Sequence, residues 1–84
     1  ERELMPKRRI LLTFPEDLIT EPVIHTMGTR YGIVTNVRRA NVEERMGWVI
    51  LEIDGPEEAL DAAVAYAANL GVQVNEMTGD VIEG

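Results

Sequence analysis

Few residues in this chain have the type and spacing to do chemistry. The most suggestive are Asn36, Arg38 and Arg39, in the stretch Thr35-Asn36-Val37-Arg38-Arg39-Ala40. Asparagine is disfavoured in the middle of a strand, yet its amide can donate to a carboxylate and accept from an ammonium. An arginine nearby can hold a carboxylate through two parallel hydrogen bonds. The plainer alternative for Asn36 is a polar strand residue that faces solvent. Glu57, Glu58 and Asp61 offer carboxylates for a metal or for acid–base work. They fall at the opening of a helix, however, where acids answer the helix dipole and sit on a solvated face. His25 is the only histidine; with no nucleophile paired to it, it reads as a surface or boundary residue rather than a catalytic base. No enzymatic activity, metal or cofactor is expected.

Composition narrows the classes further. At 84 residues the chain is one domain. A chain of this length buries only about 60–65% of the surface its unfolded state exposes, so its core is thin and association is an extra source of stability. It has no cysteine, which removes disulfides, thiol nucleophiles, iron–sulfur ligation and cysteine zinc sites. The formal charge is −7, and the basic residues cluster only at Lys7-Arg8-Arg9 and Arg38-Arg39. Nucleic-acid binding, which depends on clustered cations meeting phosphates, is not expected. No apolar run approaches the roughly 18–20 residues of a bilayer span. Glu1–Pro6 lacks the apolar centre of a signal peptide. A cytoplasmic location follows as the expectation. Glu1–Leu4, ahead of Met5, reads as an expression remnant and is left out of the fold argument.

The elements that must position Asn36 and its neighbours can be read in order. Ile10, Leu12 and Phe14 alternate with Arg9, Leu11 and Thr13 in a first strand, Arg8–Phe14, ended by Pro15. Glu16–Ile19 reads as a loop. Thr20 is a candidate N-cap, with Glu21 and Pro22 in the first turn. Val23, Ile24, Met27 and Tyr31 then share one helical face, Gly28 admits a close neighbour, and Gly32 stops the helix. A long second strand, Ile33–Val42, puts Ile33, Thr35 and Val37 on one face and Val34, Asn36 and Arg38 on the other. Ala40 and Val42 are out of phase with that pattern, which predicts a bulge near Arg38-Arg39; bulges often lie beside functional sites. Glu43–Gly47 reads as a turn with Gly47 supplying any positive φ, and Trp48–Asp54 as the third strand. Gly55-Pro56-Glu57-Glu58 opens a second helix whose buried stripe is Leu60, Ala63, Val64, Ala67 and Leu70, stopped by Gly71. Val72–Met77 is the last strand. The domain is thus expected over 7–77, with flexible tails at 1–6 and 78–84.

The order β-α-β-β-α-β with right-handed crossovers has one compact solution. It is an α+β, ferredoxin-like domain: a four-stranded antiparallel sheet with both helices on one face. The opposite face is left bare, and Leu11, Thr13, Trp48 and Ile50 fall on it. Each large apolar side chain left in water forgoes about 1.5–3 kcal/mol, and large exposed patches mark interaction sites. This face, or a sheet edge, is therefore expected to join a second copy, twofold pairing being the commonest assembly. An ordinary scatter of surface hydrophobics is the bland alternative.

The hairpin also carries a resemblance. Asn36-Val37-Arg38, then Ala40-Asn41-Val42 before the turn and Gly47-Trp48-Val49-Ile50-Leu51-Glu52 after it, resemble the NIL domain family, named for an Asn-Ile-Leu motif on the second strand. Leu11-Leu12-Thr13-Phe14-Pro15 is similar to the opening of standalone NIL proteins, and the likeness spans roughly Lys7 to Met77. The resemblance implies a ferredoxin-like fold akin to ACT domains, dimerised through its sheets. In methionine-importer ATPases the C-terminal NIL domain binds methionine and holds the transporter inactive, and the strand asparagine that contacts the ligand corresponds to Asn36. Standalone NIL domains are often joined to a Cys-rich ferredoxin module, whereas this chain has neither cysteines nor an ATPase. Arg38 stands where the motif has leucine, which would favour a more acidic ligand or a pairing with Glu side chains.

The reading that follows is a non-enzymatic sensor. It would be a homodimer binding a small amino acid of methionine type near the sheet interface. Asn36 and Arg38 would meet the polar ends, with Leu11, Phe14 or Ile50 along the apolar part and Leu11, Thr13, Trp48 and Ile50 at the interface. An alternative is a pure interaction module docking on an iron–sulfur or transport protein. A third, acylphosphatase-like chemistry, needs a glycine-rich phosphate loop after the first strand, where this chain has Phe14-Pro15-Glu16-Asp17.

Overall fold

The computed structural model describes residues 7–77; the tails expected at 1–6 and 78–84 lie outside them. In chain order the elements are β1 (Lys7–Pro15), a 3₁₀ turn (Glu16–Leu18), α1 (Val23–Tyr31), β2 (Val34–Val42), β3 (Met46–Asp54), α2 (Glu57–Leu70) and β4 (Gln73–Glu76). The four strands form one sheet in the order β2-β3-β1-β4, every neighbouring pair antiparallel. This is the ferredoxin-like α+β architecture that the pattern of elements predicts.

Strict alternation builds the core. Ile10, Leu12 and Phe14 of β1 and Val49, Leu51 and Ile53 of β3 turn to one side of the sheet. There they meet Val23 and Met27 of α1 and Leu60, Ala63 and Ala67 of α2. Ile10, Leu12, Met27, Leu51, Ile53 and Leu60 are wholly inaccessible to solvent, and each such side chain contributes about 1.5–3 kcal/mol. Gly32 and Gly71, the only positive-φ residues described, close the two helices. At α2 the Gly71 amide donates to the Ala68 carbonyl and the Val72 amide to that of Ala67, the paired bonds of a Schellman stop.

Two boundaries and the role of one glycine differ from expectation, each for a local reason. Thr20 does not cap α1. A residue before proline is pushed out of the α region, so Glu21 cannot be helical and the helix starts at Val23, behind Pro22, with no side-chain cap. The residues between make a 3₁₀ turn and successive tight bonds, Glu21 N–H to the Leu18 carbonyl and Val23 N–H to that of Glu21. The β2–β3 turn is shorter than expected: the Glu43 amide bonds to the Met46 carbonyl at 2.8 Å. Gly47 therefore lies in β3 opposite Val42, buried, without positive φ. A side chain at Gly28 would stand 3.5 Å from the Ile33 carbonyl, an ordinary contact, so no close approach requires this glycine.

The expected bulge is present. Val37 pairs with Leu51 but Arg39 pairs with Ile50, leaving Arg38 as the extra residue. β2 is also an edge strand, and Val34, Val37 and Val42 along it remain 63%, 52% and 64% exposed.

Candidate functional site

Because helices occupy only one side, the other residues of β1 and β3 form an uncovered surface. Leu11 and Thr13 of β1 lie beside Ile50 and Trp48 of β3, paired directly across the strands. With Met46 they line a shallow trough of about 310 Å³ whose walls are mostly apolar. All are half-buried except Met46, which is 45% exposed. The four residues expected to form an interface are therefore brought together. Met46 is an addition, hidden from the sequence reading by the overlong turn; its period of two with Trp48 and Ile50 is the signal that could have found it.

Cross-strand pairing then orders the rim. Asn36 sits opposite Glu52, which in turn sits opposite Arg9 on β1, and the Arg9 guanidinium reaches the Glu52 carboxylate at 3.3 Å. One row on, Arg39 is opposite Ile50 and Ile50 opposite Leu11; the next row is Asn41, Trp48 and Thr13. Asn41 donates to the Glu43 carboxylate at 3.3 Å. On β4, Asn75 and Gln73 continue the rows past Leu11 and Thr13 and bond to each other at 3.3 Å. The result is an apolar floor bordered by amides and one ion pair.

Of the residues expected to bind ligand, Leu11 and Ile50 share this floor, and Asn36 shares its face one row away. Phe14 does not join them: alternation turns it to the helix side, 7% exposed. There it lines a separate cavity of about 230 Å³ at the end of the sheet, with Val23, Ile24, Val42, Val49 and His25. Arg38, at the bulge, has no cross-strand partner in the register, and it is Arg39 that the pairing sets on the face of Asn36 and Ile50.

Several other charged groups have structural partners. Arg8, whose alternation points it to the helix side, bonds to Asp61 at 2.6 Å and to Glu57 at 2.9 Å, and lies 3.7 Å from Glu76. The hydrogen bond to Asp61 leads in raising the Arg8 pKa above its ordinary value, against desolvation of the guanidinium. Two of the acids weighed above for metal or acid–base work thus tie the start of α2 to β1. Among the described residues no group of three or more His, Asp or Glu is placed to hold a metal ion. His25 is exposed, its carbonyl accepting a bond from the Thr29 hydroxyl. No described helix is long and apolar enough to cross a membrane.

The fold has solved relatives. The C-terminal domain of an ABC transporter ATP-binding protein from Enterococcus faecalis superposes with a TM-score of 0.74 at 17% identity, covering 87% of this chain and 86% of that one. A putative amidohydrolase/peptidase from Burkholderia cenocepacia gives 0.61 at 12% identity, over 87% of this chain but 28% of its own. An AgrE mutant in complex with L-arginine gives 0.60 at 17% identity, over 81% of this chain and 11% of its own. At these identities the likeness is one of fold. No curated protein sequence matches the chain. The profile of the NIL domain family, in contrast, matches residues 8–76, from the arginine that ties β1 to α2 to the end of β4. The chain belongs to the NIL domain family.

Proposed function

We propose that this domain is a non-catalytic regulatory module of the cytoplasm that pairs with a second copy across its bare sheet face and binds a small amino acid of methionine type beside that interface. The observation that carries the reading is the apolar trough of Leu11, Thr13, Met46, Trp48 and Ile50, on the same face as Asn36. Two sheets packed face to face sit about 10 Å apart with their inner side chains interdigitated. Such packing would cover the trough and leave the Asn36 row near its margin. Asn36 is the residue that corresponds to the family's ligand-contacting asparagine, and its amide suits both ends of a zwitterion. A ligand that favours one arrangement of the pair shifts the population of arrangements, and that shift is the regulatory signal.

A thermal-shift series with millimolar amino acids tests the reading. Ligand at a hundred times its Kd stabilises by about 2.7 kcal/mol, which in a domain of this size raises Tm by roughly 10 °C or more. The expected result is a shift selective for methionine and lost in Asn36→Ala, with the unliganded Tm of that variant unchanged. A flat series contradicts it. The likeness to a transporter's C-terminal domain favours a second reading, in which the same face docks on a transport protein and no metabolite binds. Under that reading the series is flat, and Trp48→Ala abolishes binding to the transporter's ATP-binding subunit.

A further inference from the structure

We infer that Arg39, rather than Arg38, is the anion-recognising residue of the bare face, and that the ligands it selects are small carboxylates carrying an apolar tail, with or without an α-ammonium. The inference rests on the reading above that this face binds a small ligand, and it names the chemical class.

The bulge is the first observation. Without an extra residue, strand alternation would set Arg38 on the face of Asn36 and turn Arg39 to the helix side. With Arg38 inserted, the ladder resumes at Arg39 opposite Ile50, so Arg39 shares the face of Asn36, Trp48 and Leu11. The second is charge. Of the cations on or beside this face, Arg9 is engaged by Glu52 at 3.3 Å. On the covered side Arg8 is engaged by Asp61 and Glu57. Arg39 makes no ion pair with any described residue, in a chain whose net charge is −7. A guanidinium left open beside an apolar trough suits a carboxylate, which it can grip through two parallel hydrogen bonds.

Reach and the missing counter-charge complete the argument. Ile50 and Trp48 lie two residues apart on β3, so the trough extends about 7 Å from the Arg39 row. That length fits a short unbranched tail entering the trough at Ile50 from its margin, at the edge of the paired sheets. An ammonium would need an anion close by, yet Glu52, in the row beside Arg39, is already held by Arg9, and Glu43 lies past the Asn41 row, bonded to that amide. Recognition therefore comes from the carboxylate and the tail, and an α-ammonium adds little beyond a bond to the Asn36 amide.

Calorimetry on the intact chain with three probes tests this: methionine, N-acetylmethionine, which lacks the ammonium, and methioninamide, which lacks the carboxylate. The first two are expected to bind within about threefold of each other, and methioninamide at least tenfold more weakly. Arg39→Gln is expected to weaken methionine at least tenfold, Arg39→Lys to restore part of the loss, and Arg38→Gln to stay within twofold of the parent. Equal binding of methioninamide, or an Arg39→Gln variant that binds methionine like the parent, overturns the inference while leaving the amino-acid reading intact. A parent protein that binds none of the three overturns both.

Discussion

The two faces of the sheet are made by the same strands and the same alternation, and they differ in almost everything else. On the covered face Ile10, Leu12, Leu51 and Ile53 are fully excluded from solvent under two helices. On the bare face their immediate neighbours Leu11, Trp48 and Ile50 are only half-buried, side by side around a trough. Polar residues are sorted as well. The covered side uses its half-buried cation Arg8 to fasten α2 and β4 to β1, whereas the bare side rings its apolar floor with Asn36, Arg39, Asn41, Gln73 and Asn75. One face holds the fold together; the other is left without a covering layer.

Substitutions on the two faces should therefore have different readouts. The largest effect is expected from Leu51→Ala, which empties a fully enclosed site and should cost about 2–5 kcal/mol in urea unfolding; Ile50→Ala, one residue away, should cost the dilute protein much less. If both cost the same, the faces are not distinct. Next comes Trp48→Ala. Large aromatic anchors at the centre of an interface are worth about 2 kcal/mol or more, so sedimentation should report self-association weakened by roughly thirtyfold with little change in monomer stability. Smaller still is Arg8→Met, which keeps the apolar stem and removes the charge. Its partners are 64% and 66% exposed, so the two contacts are screened and the loss should be about 1 kcal/mol in thermal unfolding. The raised pKa means that this contribution is fully present below the range in which an ordinary arginine titrates and is lost only as pH rises through the folded-state value. The smallest change is Gly28→Ala, which should stabilise the protein by about 0.5–1 kcal/mol in the same assay, since the added methyl meets only ordinary contacts.

Most of the fold was legible because its signals are local and mutually consistent. The period of two in β1 and β3, the apolar stripe of α2, and Gly32 and Gly71 all point to one arrangement, as does the mismatch between Val37 and Ala40 that announces the bulge. What escaped depended on geometry that residue types do not carry. Pro22 delays α1 by acting on Glu21, and Thr20 gave a competing cap signal. Gly47 looked like a turn residue, yet it is a strand position under Val42, and the error took Met46 out of the trough. The site was legible by face and illegible by row. Leu11, Thr13, Trp48 and Ile50 could be grouped by parity, but which arginine the bulge delivers to that group depends on where the extra residue falls. Phe14 stands on the side opposite Leu11 and Ile50, as its alternation with Leu11 and Thr13 requires. Arg8 belonged to a basic run, and nothing in that run distinguishes the arginine that folds inward from the one that pairs with Glu52.

The central claim is that the bare face becomes covered when the domain works. Trp48 is the only tryptophan in the chain and stands in the middle of that face, so its emission reports directly on the claim. The decisive measurement is Trp48 fluorescence and its quenching by acrylamide, followed from nanomolar to high micromolar protein with and without millimolar methionine. The account predicts a blue shift and falling quenching as concentration rises, with methionine moving the midpoint. Emission and quenching that stay constant across the whole range, with and without the amino acid, would contradict it.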